Sequence, residues 1–361
     1  MFTPQSFVFL SSTILVSSFA NGSGLGPADG FTIFTIESYQ ANNTDCTGRV
    51  AVGGPATYNN FGVGSGLSNS NGTRDDLIVA GNLTWNNGQN FNGNIQAAGP
   101  TTLLNVGYPN GTVGDSVSID FDDAEIELQE LSDDLFLATA NGSVSNSWGQ
   151  LSMVGTDSEL NVFFLTQSDL NPLWGMSITV PQGSTVLVNV DHQTMQLNNF
   201  QPTLNGCDET SVLWNFPDSV SIQMNSIGWK GTILAPNASI QFNNGQIDGA
   251  LVCRLIQGNG ESHHAPFDGD LPTDDDEYED NDIDDACSCC CHQSDDDDDE
   301  DSDGDDECDD VNSDGDDDDD DEDSDDDDDE DDDDDDEESD DDDDCECDCD
   351  CNIPSPELIY D

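Results

Sequence analysis

The carboxylates near the C-terminus carry the clearest ligand pattern in the chain. Gly304 and Gly315 are the only glycines after Thr273, and each is the sixth residue of an Asp-x-Asp/Asn-x-Asp-Gly string. The first string starts at Asp299 and runs through Asp301, Asp303, Glu307 and Asp310. The second starts at Asp310 and runs through Asn312, Asp314, Asp318 and Asp321. Calcium loops use this spacing because alternate side-chain oxygens converge while the glycine makes the sharp turn. Asp is nearly everywhere around them, so charge density alone predicts weak, multi-site Ca2+ binding. Defined loops are the narrower alternative.

Two groups of thiols flank the strings. Cys287, Cys289, Cys290 and Cys291 precede His292, and Cys345, Cys347, Cys349 and Cys351 alternate with acids. Alternating thiols fall on one face of an extended strand. In an oxidising compartment they form disulfides or links between chains; otherwise they offer a soft-metal ligand set. Cys308 is left over, as is one of Cys46, Cys207 and Cys253 if two of these pair, which favours a disulfide-linked oligomer. Ser294, Ser313, Ser324 and Ser339 carry acids one and three positions on, a pattern acid-directed kinases use.

No catalytic constellation stands out. His192, His263 and His264 are the only histidines before Thr273, and no phosphate-cradling glycine loop or Ser/His/Asp order is recognisable. The sequence predicts a non-enzymatic protein. Trp85, Trp148, Trp174, Trp214 and Trp229 have the chemistry to stack on sugars. Most of them, Trp214 first, are expected in the core.

From Thr273 onward there are 55 Asp or Glu and no Lys or Arg, and the whole chain carries a formal net charge of −76. Neighbouring carboxylates in an extended chain lie about 3.5–7 Å apart, inside the Debye length of about 8 Å. At about 6 Å a pair repels by roughly 0.7 kcal/mol even in water. With almost nothing apolar to bury, residues 273–361 are expected to stay extended and disordered. Arg49, Arg74, Lys230 and Arg254 are the only fixed cations. That excludes nucleic acid as a direct partner. Ca2+, a mineral surface, a cell-wall or matrix polymer, and basic proteins remain.

About 250 residues are left for a folded part, enough for one large domain. Ahead of it, Phe7–Val16 is apolar and Ser18-Phe19-Ala20 offers small residues for a cut, so residues 1–20 read as a signal peptide. Sequons at Asn21, Asn42, Asn71, Asn82, Asn110, Asn141 and Asn237 fit export. No stretch reaches membrane-spanning length, and the ending Leu358-Ile359-Tyr360-Asp361 resembles neither a retention signal nor a lipid-anchor tail. The expected location is secreted, in extracellular matrix or at a cell surface.

The folded part reads as short β-rungs separated by Gly and Asn, such as Arg49–Gly54, Leu77–Leu83 and Gly93–Gly99. Residues 119–139 break the pattern: Phe121, Ala124, Leu128, Leu131 and Leu135 follow helical spacing, Asp120 suits an N-cap and Asn141-Gly142 a stop. Strands return in Leu160–Leu165, Ser177–Val180, Ser184–Val190, Val220–Met224, Gly231–Leu234, Ser239–Phe242 and Ala250–Ile256. This predicts a mainly β protein, a β-solenoid with one flanking helix at about 119–139, whose Leu128, Leu131 and Leu135 dock on the stack. No exact repeat length emerges, so composition alone leaves a β-sandwich open.

Specific motifs favour the solenoid. Thr47-Gly48-Arg49-Val50-Ala51-Val52-Gly53-Gly54 with Asp76-Leu77-Ile78-Val79-Ala80-Gly81-Asn82-Leu83-Thr84 resembles the opening of the choice-of-anchor A domain. Val212-Leu213-Trp214-Asn215-Phe216-Pro217-Asp218 resembles its central motif, and Gly231-Thr232-Ile233-Leu234-Ala235-Pro236-Asn237-Ala238 its late rung. Gly245–Gly249 and Gly258–His264 complete the series, so the resemblance covers residues 30–268. It implies an adhesive β-helix of secreted proteins, rather like the ice-binding solenoids, usually followed by an anchor. Here an acidic stretch stands in the anchor's place. The calcium strings resemble thrombospondin type 3 and dockerin repeats, and the long Asp runs resemble acidic biomineral matrix proteins. The expected function is an adhesive or matrix scaffold that binds Ca2+ or mineral. The rivals are a wall or surface adhesin with a merely solubilising tail, a luminal calcium buffer, and an ice-binding protein, which would need a regular Thr-rich face.

Overall fold

The computed structural model describes residues 24–271. The N-terminal apolar run, the acidic strings and the eight paired-cluster thiols lie outside the described residues.

Val50–Val52 shows how the sequence builds the fold. Successive side chains of a strand point to opposite faces, so Val50 and Val52 enter the interior of the coil while Ala51 faces outward into a second apolar layer. Rungs of this kind stack in parallel register. Ile33 pairs with Val50, Val50 with Leu77, Leu77 with Ile95, and Ile95 with Val113. In the second half Leu160 pairs with Thr185, Val186 with Val212, Leu213 with Thr232, and Ile233 with Leu251. A hairpin of Ser143–Ser147 with Gln150–Val154 is antiparallel and edges a smaller four-stranded sheet.

The chain does not coil from one end to the other. It starts mid-stack at Ile33–Cys46, winds to Val113–Gly114, returns through one helix, and winds back from Leu160–Thr166 to Leu251–Gly258. The last long strand then pairs in parallel with the first, Ile33 with Leu251 and Gln40 with Gln257. The two halves thus close on each other at a central seam. Coil lengths explain the missing repeat. Ile33 to Val50 is 17 positions and Ile233 to Leu251 is 18, but Val50 to Leu77 is 27 and Leu160 to Thr185 is 25.

The helix, α1, spans Phe121–Phe136. The Asp120 carboxylate accepts from the backbone of Asp122 and Asp123 at 3.1 and 3.3 Å, so the expected N-cap is present. Phe121, Ala124, Leu128 and Leu135 bury against the outward residues Phe34, Ala51, Ile78, Leu213, Leu234 and Val252. Leu131 lies only at the margin of this layer, because the helical stripe brings Ser132 to its centre. Ser132 is fully buried and hydrogen-bonded: its Oγ donates to Asn215 Oδ1 at 2.5 Å, and Asn215 Nδ2 donates to the Ser132 carbonyl at 2.7 Å. Asn189, stacked beside Asn215, donates to the Leu135 carbonyl at 2.7 Å. These polar pins fix how far α1 slides along the stack. They also account for its end at Phe136 rather than at Asn141-Gly142: Asn189 takes a terminal carbonyl, and Asn141 instead bridges Leu160 and Val162.

A charge placed at the centre of this seam should be far more damaging than one at its edge. Leu128→Asp should cost about 3–5 kcal/mol, from lost burial and an unpaired buried charge, and Leu131→Asp about 1 kcal/mol. Denaturant unfolding of the full chain would measure both; equal losses would show that Leu128 is not the anchor.

Candidate adhesive face

One face of the coil is left uncovered by any described element. Its strands put alternate side chains outward, and their register lines these up in columns. The longest column runs Gln196, Gln223, Gln241, Gln257, Gln40, Thr57, Thr84 and Thr102, each directly paired to the next. All eight side chains are exposed. The residues beside the glutamines point inward, as Met195 and Leu197, Ile222 and Met224, Ile240 and Phe242, and Tyr39 and Ala41 do; after Gln257 the chain has Gly258 instead. The recurring apolar-Gln-apolar triplet is the signal in the sequence that would have found this column, which the rung-by-rung reading passed over.

Beside it runs an asparagine column. Asn59 donates to Asn42 at 3.1 Å, Asn86 to Asn59 at 3.2 Å, and Asn225 to Asn198 at 3.0 Å. At the adjoining corner Asn43, Asn60, Asn87 and Asn105 adopt left-handed backbone angles of φ 50–57°, which asparagine tolerates better than other side chains. At the central seam the glutamine column continues, but the asparagine column is interrupted between Asn243 and Asn42. Gly258 sits at φ +146°, and a Cβ there would lie 1.9 Å from the Phe242 carbonyl oxygen. The result is an open polar cleft of about 300 Å³ lined by Gln40, Asn42, Gln241, Asn243, Gln257 and Gly258.

The fixed cations are all engaged by the domain itself. Arg49 lies 4.0 Å from the Phe31 ring centroid, and Arg74 meets the fully buried Asp76 at 2.6 Å. Lys230 pairs with Glu209 at 3.3 Å, and Arg254 with Glu37 at 2.9 Å. The uncovered face therefore presents amides and hydroxyls. Such groups can donate and accept hydrogen bonds at regular intervals.

The other sequence-identified residues are dispersed. Asn42 stands on the uncovered face, and Asn71, Asn82 and Asn141 are exposed elsewhere. Asn110 and Asn237 are half-buried, with side-chain nitrogens donating to the carbonyls of Phe91 and Pro217. Asp299, Asp301, Asp303, Glu307, Asp310, Asn312, Asp314, Asp318 and Asp321 lie outside the described residues, as do Cys287, Cys289, Cys290, Cys291, Cys345, Cys347, Cys349 and Cys351. Cys46, Cys207 and Cys253 are free. Burial pushes the Cys46 thiol up to about 12 and Cys253 higher still; burial, then the Asp208 charge, pushes Cys207 to about 11. Protonated thiols are poor nucleophiles and ligands. Among the described residues no group of three or more metal-binding side chains converges.

Trp85, Trp214 and Trp229 are core, as expected for most of the tryptophans. Trp148 and Trp174 are not: they are 96% and 71% exposed. Trp148 occupies the hairpin turn at φ +56°, a left-handed angle that costs a residue of its type about 1–2 kcal/mol.

An in-register parallel coil, braced by one helix and open on one polar face, is a β-solenoid of the adhesive type. Residues 24–264 match the family described as "Putative Ice-binding-like adhesive domain", and the chain belongs to that family. Among solved structures, an ice-binding protein from an Antarctic biological consortium is 14% identical over 71% of this chain and 96% of its own, with a TM-score of 0.37. The ice-binding protein of the Antarctic ascomycete Antarctomyces psychrotrophicus is 14% identical over 67% of this chain and 98% of its own, with a TM-score of 0.31. The DUF3494 domain of Shewanella frigidimarina ice-binding protein 1 is 12% identical over 68% of this chain and 97% of its own, with a TM-score of 0.29. No curated protein matches the sequence. No helix among the described residues is long and apolar enough to cross a membrane.

His264 ties the closing motif to the first coil. Its Nδ1 lies 2.9 Å from Thr32 Oγ1, and its backbone N–H donates to Thr47 Oγ1 at 2.7 Å. Burial, then the Arg74 and Arg49 charges, lowers its pKa. A lowered folded value means the fold binds fewer protons than the unfolded chain. The contribution is therefore full above the unfolded pKa of about 6.5 and is lost as pH falls below it. His264→Gln should flatten the fall in unfolding free energy between pH 7 and pH 5; an unchanged slope would mean that His264 does not titrate with folding.

Proposed function

We propose that this domain is the adhesive module of a secreted, non-enzymatic matrix or surface scaffold of the choice-of-anchor A type. It holds a solid or polymeric surface through the uncovered face and binds Ca2+ through its acidic stretch. The eight-rung Gln/Thr column carries this reading. Rungs about 4.8 Å apart make a periodic array roughly 34 Å long. Such an array meets an ordered surface by many individually weak contacts, whose avidity needs no preformed pocket. The apolar run before residue 20 and the sequons support export, and the Asp-rich strings support weak capture of a hard cation by oxygen ligands. Ca2+ held on acids can in turn bridge to mineral or to an anionic polymer that the domain's engaged cations cannot recognise.

Thr57, Thr84 and Thr102 favour ice as a second ligand, together with the family description. The five glutamines that continue the same column break the threonine array. Thermal hysteresis separates the readings: a freezing point depressed below the melting point in wild type, and abolished by Thr84→Tyr, would replace the scaffold reading with the ice-binding one.

Adhesion is tested by co-sedimentation of the full chain with calcite, cellulose and chitin powders. Gln40→Tyr with Gln241→Tyr fills the central face with bulk at exposed positions, where stability should change by less than about 0.5 kcal/mol each. Binding to at least one powder should fall tenfold or more, and retention of wild-type binding to all three would remove the face from the mechanism. The acidic stretch is tested separately. Calorimetric titration of the full chain with Ca2+ should show several ions of about millimolar affinity, weakened by added salt. Gly304→Val with Gly315→Val should leave this uptake intact if charge density governs it; loss of a tighter class of sites would instead establish defined loops.

A further inference from the structure

We propose that Trp148 and Trp174 form a stacking platform for a neutral polysaccharide chain, at the end of the smaller sheet where its hairpin turns and the strand Gly175–Thr179 begins. At the other non-glycine positions with left-handed backbone angles the sequence uses Asn or Ser: Asn43, Asn60, Asn71, Asn87, Asn105, Asn199, Ser226 and Asn244. Trp148 departs from this preference where the ring reaches no core and is 96% exposed. The next residue shows that its neighbour is also placed. Trp174 lies over Gly149 so closely that a Cβ there would be 1.6 Å from the indole Cδ1. The Trp174 backbone N–H donates to the Gly149 carbonyl at 2.7 Å. Asn146 locks both parts: its Oδ1 accepts from Gly149 N at 2.8 Å, while its Nδ2 donates to the carbonyls of Asp169 and Pro172 at 2.8 and 2.9 Å. The backbone that carries both indoles is thus fixed, and the Trp174 ring is seated over Gly149 beside the exposed Trp148.

The surroundings select the occupant. Ser147, Gln150 and Asn171, the exposed polar residues beside the rings in sequence, are uncharged. Every fixed cation is paired elsewhere, and the net charge of −76 repels polyanions. A protein or lipid partner would call for a broad apolar patch, whereas two rings in a polar setting match a pyranose. Its C–H face packs on an indole, and its hydroxyls meet the indole N–H and neighbouring amides.

The inference rests on the adhesive reading but uses a different surface, so the two fail separately. The full chain is titrated with cellohexaose and with chitohexaose, followed by tryptophan fluorescence and calorimetry. At least one should bind, and Trp148→Asn and Trp174→Ala should each weaken it tenfold or more. Trp148→Asn should also raise the melting temperature, since it installs the residue used at equivalent angles, so lost binding there cannot be lost folding. The Gln40→Tyr, Gln241→Tyr protein should bind these oligosaccharides as wild type does. Failure of both sugars to bind, or wild-type affinity in Trp148→Asn, overturns the platform whatever the powders show. So does a dimer in sedimentation velocity that Trp148→Asn dissociates without any sugar binding, which would make a second copy the occupant.

Discussion

The architecture depends on one apolar contact: α1 laid across the outward residues of the rungs. A parallel coil satisfies its backbone by pairing and fills its interior with Val, Ile and Leu, but each three-residue rung also turns one side chain away from that interior. On the helix face these are Phe34, Ala51, Ile78, Leu213, Leu234 and Val252, drawn from both halves of the chain. Left in water they would form a long apolar stripe. Burial beneath Phe121, Ala124, Leu128 and Leu135 removes it, at roughly 25 cal/mol per Å² of apolar surface. The same contact holds the two halves in alignment, and the Ser132–Asn215 and Asn189–Leu135 bonds remove the freedom to slide that apolar packing alone would permit.

The faces of the coil therefore divide the work by side-chain type. Where the outward positions are apolar, the helix covers them. Where they are Gln, Asn and Thr, nothing among the described residues does. With Arg49, Arg74, Lys230 and Arg254 engaged internally, that face offers amides and hydroxyls, and in the proposed function the acidic stretch is what takes cations.

Much of this was legible in advance. Phe121, Ala124, Leu128 and Leu135 announce the helix because a 3.6-residue period is a local property, and Asp120 marks its start. Val50-Ala51-Val52 and Leu77-Ile78-Val79 announce rungs by alternation and flanking glycine. What stayed hidden is long-range. The pairing of Gln40 with Gln257 joins residues 217 positions apart, and insertions that stretch some coils to 25–27 positions erase the period that would reveal it. Asn189 and Asn215 were visible as polar residues inside apolar strands, yet only their partners on α1 explain them. Leu131, expected to dock, lies at the margin because one residue's rotation about the helix brings Ser132 to the centre instead. The exposure of Trp148 and Trp174 has no local signature, since indoles are the usual filling of a β-coil.

The closure of Ile33–Cys46 onto Leu251–Gly258 has a consequence for how the molecule is made. The first strand emerges early from the ribosome and pairs on one side with the coils that follow it. Its other edge has no partner until residue 258 exists, 212 positions after Cys46. At translation rates of about 5–20 residues per second, that edge stays bare for roughly 10–40 s. An unpaired strand edge is a template for another chain, and here the missing partner is present on every neighbouring copy. Crowded synthesis thus sets intramolecular closure against exchange of halves between two nascent chains, and the outcome is decided by local concentration rather than by the stability of the finished coil.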